Sequence, residues 1–143
     1  MRKPFVVAVV VSVASGSASA EQRDCSNPQT QTDMNICAYE EWQRADQDLN
    51  LAYRAAIENA RMLDTSRHGL TMQRRVGGQT ENLSTEDALR QAQRAWITFR
   101  DNACLAESDI AFGGSLQPLL YSGCFTDLTV QRTHQLRSFA ETN

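Results

Sequence analysis

Four thiols, two imidazoles and a cluster of guanidinium groups are the side chains of this 143-residue sequence best suited to do chemistry. The thiols are Cys25, Cys37, Cys104 and Cys124, separated by 11, 66 and 19 intervening residues. No C-x-x-C pair occurs, so neither a zinc knuckle nor a thiol-redox motif is indicated, and no metal site is expected. An even number of cysteines in an exported chain reads instead as two disulfides, with all three pairings open. Short closures favour Cys25–Cys37 with Cys104–Cys124. The imidazoles, His68 and His134, stand in no recognisable catalytic pattern. Glu40-Glu41 and Glu86-Asp87 are adjacent in sequence, so on a helix their carboxylates diverge by about 100° and make no dyad. There is no G-x-S-x-G, H-E-x-x-H or phosphate-binding glycine loop. The sequence therefore predicts no catalytic residues, no enzyme activity and no cofactor.

Two further polar sets have positional meaning. Arg67, His68, Arg74 and Arg75 concentrate positive charge in an otherwise acidic chain and form a candidate partner-binding loop. Asp46 and Asn50 lie four apart on one helix, Gln93 and Arg100 flank Trp96 on another, and Arg132 lies beside the last apolar stripe. A guanidinium close to a buried seam needs acceptors. Arg100 or Arg132 is expected to bond Asp46 or loop carbonyls near the cysteines, as a structural network. Trp42 and Trp96 read as core residues.

These groups must be carried by helices. Residues 84–110 place Leu89, Ala92, Trp96, Phe99 and Ala103 at steps of three and four, an apolar helical stripe. Ser84 and Asp87 form a capping-box start, and Gly113-Gly114 marks the stop. A longer helix follows Thr30 and Asp33, with Met34, Cys37, Trp42, Ala45, Leu49, Ala52, Ala56, Ala60 and Leu63 on one face. Residues 64–83 show no period and read as a long connection. Residues 111–125 read as an apolar loop. Thr126 or Asp127 is expected to cap a short last helix bearing Leu128, Arg132, Leu136 and Phe139. No strand is convincing. The fold expected is all-α: a long antiparallel helix hairpin plus a short C-terminal helix, stapled by disulfides.

The first 20 residues read differently. Met1-Arg2-Lys3 is basic, Phe5–Ala14 is apolar, and Ala18-Ser19-Ala20 suits signal peptidase. Residues 1–20 are thus expected to be a cleaved signal peptide, followed by a single domain over 21–143. The apolar run is too short to span a membrane comfortably. No cysteine follows it directly, so no lipid anchor and no membrane association are expected after cleavage. Cleavage removes Arg2 and Lys3, lowering the basic residues from 14 to 12 against 17 acids, a net charge of −5. Lys3 is the only lysine. Such a chain is a poor nucleic-acid binder and suits a cationic partner.

Across the mature chain, D-C (24–25), T-Q-T-D-M-N-I-C-A (30–38), A-D-Q-D-L-N-L-A-Y (45–53), Q-R-A-W-I-T-F-R-D-N-A-C (93–104), G-G-S (113–115), Cys124 and L-T-V-Q-R (128–132) resemble the LprI-type lysozyme-inhibitor domain of exported bacterial proteins. The resemblance implies a small, helical, disulfide-containing protein, periplasmic or secreted. It implies inhibition of a lysozyme-type muramidase as the activity. A non-catalytic interaction module for another envelope protein is the alternative. Unlike the founding type, this sequence lacks a lipobox.

Overall fold

In a computed structural model, the structure describes residues 24–67, 71–76 and 79–142. The expected signal peptide, His68 and the Gly77-Gly78 pair lie outside them. Three helices dominate: α1 (Gln31–Ser66), α2 (Thr85–Ser108) and α3 (Gln117–Ala140). The all-α class is therefore as expected.

The helix starts follow the sequence closely. Thr30 caps α1 by accepting a bond from the Asp33 N–H at 3.0 Å, and Ser84 caps α2 through the Asp87 N–H at the same distance. Each hydroxyl satisfies a donor that the first turn leaves unpaired. With 36 residues and ~1.5 Å rise per residue, α1 is about 54 Å long. Its buried face carries Cys37, Ala45, Leu49, Ala52, Ala56, Ile57 and Ala60. Most of these are alanines, so a neighbouring helix can approach closely.

That neighbour is chiefly α3. Asn35 meets Ser115 at one end of the pair and Asn59 meets Phe139 at the other, so α1 and α3 run parallel. Between them α2 runs antiparallel: Arg61 meets Glu86, and Asp46 meets Arg100 further along. Leu49, Ala52, Ala56 and Leu136 form one core cluster, flanked by Tyr53, Leu89, Trp96 and Phe139. Burying Leu49 and Leu136 contributes roughly 1.5–3 kcal/mol each. A second cluster joins Cys104, Cys124 and Phe125 with Trp42, Tyr121 and Leu128. Both disulfides lie at this end: Cys25–Cys37 with Cα atoms 5.5 Å apart, and Cys104–Cys124 with 5.4 Å.

Three expectations need correction. First, the connection after α1 contains strands. β1 (Met72–Val76) pairs antiparallel with β2 (Gln79–Leu83), in a register that sets Arg74 opposite Glu81 and Arg75 opposite Thr80. The two runs are separated by two residues, the spacing of a tight hairpin. Their mostly polar composition hides this, because a ribbon lacking a buried face needs no apolar alternation.

Second, α3 is neither short nor begun at Thr126 or Asp127; it starts at Gln117 and matches α2 in length. Pro118 sits in its first turn, where a missing N–H costs nothing. Residues 117–125, read as loop, are helical. Third, α2 is rotated from the expected face. Its buried residues are Thr85, Gln93, Arg100, Cys104 and Ser108, whereas Ala92 is exposed and Phe99 is 59% exposed.

Candidate functional site

The rotation of α2 turns polar side chains into the seam. Arg100, only 7% exposed, lies between two rings: its guanidinium carbon is 5.1 Å from the Trp96 centroid and 4.5 Å from that of Phe125. Its Nε and Nη2 donate to Asp101 Oδ1 at 3.0 and 2.9 Å. Its Nη1 lies 3.7 Å from Asp46 Oδ1, and Asn50 Nδ2 donates to the other Asp46 carboxylate oxygen at 2.9 Å. The aromatic faces attract the cation, and the carboxylates compensate its charge.

Two turns earlier on α2, Gln93 accepts a bond from Arg132 Nε at 3.0 Å, and Arg132 Nη1 donates to Gln135. Burial lowers the pKa of the Arg132 guanidinium, opposed by Tyr53. The five polar residues singled out from sequence thus form two groups, Asp46–Asn50–Arg100 and Gln93–Arg132, strung along one seam. They join helices. No nucleophile and base face each other in either group.

The opposite end of the bundle carries the arginines. Arg67 closes α1, its N–H donating to Leu63 O at 3.1 Å and its Nη1 to Thr85 Oγ1 at 3.3 Å. Arg74 and Arg75 lie on β1, just beyond. A cleft of about 340 Å³ opens here, lined by Leu63, Arg67, Thr85, Ala88, Leu89, Ala92 and Phe139.

Two carboxylates organise this end, and neither was singled out from sequence. Asp64 accepts the Thr85 and Glu86 N–H groups at 2.7 and 3.0 Å, bridging α1 to the first turn of α2. Burial pushes its pKa up, but bonds from Thr85 and Glu86 and the charge of Arg67 outweigh that and hold it below the ordinary value. Glu86 accepts from Arg61 at 3.1 Å and from Arg90 at 2.6 Å. Those bonds, Arg61 first and Arg90 next, lower its pKa. Asn59 also went unnoticed. It is 1% exposed and donates to Phe139 O at 2.7 Å, satisfying a carbonyl in the last turn of α3. The only signal was an amide set among Ala56, Ile57 and Ala60.

Among the described residues, no three His, Cys, Asp or Glu side chains gather as metal ligands, and no helix is long and apolar enough to cross a membrane.

A family model described as "Lysozyme inhibitor LprI" matches residues 23–136. The chain belongs to the LprI family. An uncharacterised protein of Rhizobium meliloti (strain 1021) is 35% identical over 138 residues, covering 96% of this chain and 94% of that one. The crystal structure of a DUF1311 family protein from Pseudomonas putida KT2440 superposes with a TM-score of 0.60 at 22% identity, covering 80% of this chain and 97% of that one. That likeness shows the shared fold. As an LprI-family protein with two disulfides, the chain carries a framework that persists in oxidising compartments.

Proposed function

We propose that this LprI-family protein is exported by a cleaved N-terminal segment, residues 1–20, and inhibits a lysozyme-type muramidase in the periplasm or outside the cell. The match to the inhibitor family over residues 23–136 carries this reading. The mature charge of −5, obtained when Arg2 and Lys3 leave a chain of 14 basic and 17 acidic residues, supports it. Many c-type lysozymes are basic, and opposite net charge speeds encounter. The protein acts by occupying a surface, without chemistry of its own.

Within this reading, the arginine end is the first contact to test. The muramidase cleft holds two carboxylates. Arg67, His68, Arg74 and Arg75 would meet them with cations at the tip of the helix hairpin. The experiment is an activity assay of c-type, g-type and bacterial muramidases with the exported protein in micromolar excess. Inhibition that weakens as salt rises is expected. No inhibition of any of the three removes the reading and leaves an envelope interaction module in its place. Removing residues 67–78 separately tests whether the arginines make the contact.

A further inference from the structure

The end of the bundle opposite the arginines has an unusual surface. Ile110 is 88% exposed, Phe112 81%, and Leu105 and Leu116 also face solvent. Three of these four residues fall within seven positions, at the turn joining α2 to α3. A surface isoleucine or phenylalanine alone means little, but a contiguous apolar group marks an interaction site.

The turn is fixed rather than left to find its shape on binding. Cys104–Cys124 ties the helices at its base. Gly113 adopts φ +72°, a conformation that a side chain would strain, and its N–H donates to Gln117 Oε1 at 3.1 Å. Asn35 on α1 donates to Ser115 O at 3.0 Å, holding the far side. A surface ordered before binding loses less entropy on binding.

The surrounding charge has one sign. Residues 24–43 and 101–123, which make up this end, include Asp24, Asp33, Glu40, Glu41, Asp101, Glu107 and Asp109 and no Lys, Arg or His. The nearest cation, Arg100, is buried against Asp101. An anionic membrane or a nucleic acid would be repelled. A cationic protein face surrounding an apolar recess is complementary.

We infer that the Ile110–Phe112 turn is the docking surface of this protein, inserted into an apolar recess on a basic muramidase. The inference rests on the inhibitor reading and deepens it by placing the contact at the end remote from the arginines. Phe112 and Ile110 anchor the contact, and Glu107 and Asp109 meet cations at its rim.

The test measures binding of the exported protein to a basic c-type lysozyme by calorimetry, at two salt concentrations. Ile110→Ser with Phe112→Ser is expected to weaken binding by about tenfold or more, as central anchors do. Both side chains are exposed, so unchanged circular dichroism is the folding control. Phe112→Leu retains most of the affinity, and removal of residues 67–78 leaves it unchanged. Glu107→Gln with Asp109→Asn reduces the salt dependence. Unaltered binding by the double serine variant overturns the inference while the inhibitor reading stands. Absence of binding by the wild-type protein overturns both. Self-association of the wild type that Phe112→Ser abolishes would put a second copy on the turn, and that also overturns the assignment.

Discussion

Arg100 carries a charge into a place where most side chains are apolar, and three groups make that tolerable. Trp96 and Phe125 face its plane, and Asp101 takes two of its donors. Truncation to Ala removes the ring contacts and leaves a void, at a cost of about 1–3 kcal/mol. Urea unfolding should therefore show a lower midpoint with an unchanged slope. Arg100→Lys should recover only part of the loss, because an ammonium cannot stack or fork as a guanidinium does. Sequence reading set Arg100 and Gln93 beside the stripe and put Ala92 and Phe99 in it. Counting apolar positions misjudges this helix. The long stems of Arg and Gln bury well when their heads find partners, and Ala gains little from burial. The pairing of Arg100 with Asp46 was legible all the same, since a guanidinium near a seam demands a carboxylate.

At the scale of elements, the α1–α2 junction depends on Glu86 and Asp64, which join Arg61, Arg90 and the first turn of α2. The Glu86 carboxyl is held below its ordinary pKa by Arg61 and Arg90. The folded state therefore releases its proton more readily than the unfolded chain. The stabilisation is fully present above the unfolded value of about 4 and is lost as pH falls through the folded one. Glu86→Gln should lower stability at neutral pH. Its difference from wild type should shrink as denaturation curves are taken down through pH 4 and below. A constant difference across that range would refute the linkage. The helices themselves were readable because capping boxes and a sustained three–four period mark them. The β-hairpin and the first turns of α3 were not. The former has no buried face to impose alternation, and the latter begins at a proline in a segment whose glycines suggested a loop.

For the whole molecule, the seam between α1 and α3 carries most of the packing, and the sulfur bridges add to it at one end only. Replacing Cys104 and Cys124 by Ser should cost ~2–4 kcal/mol and lower Tm by on the order of 10 °C. Replacing Cys25 and Cys37 should cost less. That bridge spans 12 residues against 20, and it holds only a short segment before α1. Calorimetry of both double variants checks the order. The class of fold and the cysteine pairing could be read before any coordinates, because few arrangements bury such stripes and close such short loops. What the arginines do could not, since His68 lies outside the described residues and a strand register says nothing of a partner.

The one-sided placement of the bridges also gives the molecule a direction of opening. Covalent links hold the Cys104–Cys124 end, while Asn59, Asp64 and Glu86 hold the other by hydrogen bonds and charge alone. Transient separation therefore starts where Ser66, Thr85 and Ala140 meet and travels toward the sulfurs. Amide deuterium uptake should grade along α1 in the same sense, fastest in its last turns and slowest beside Trp42. A protease would find its first foothold there too, leaving the acidic turn intact on the fragment that survives.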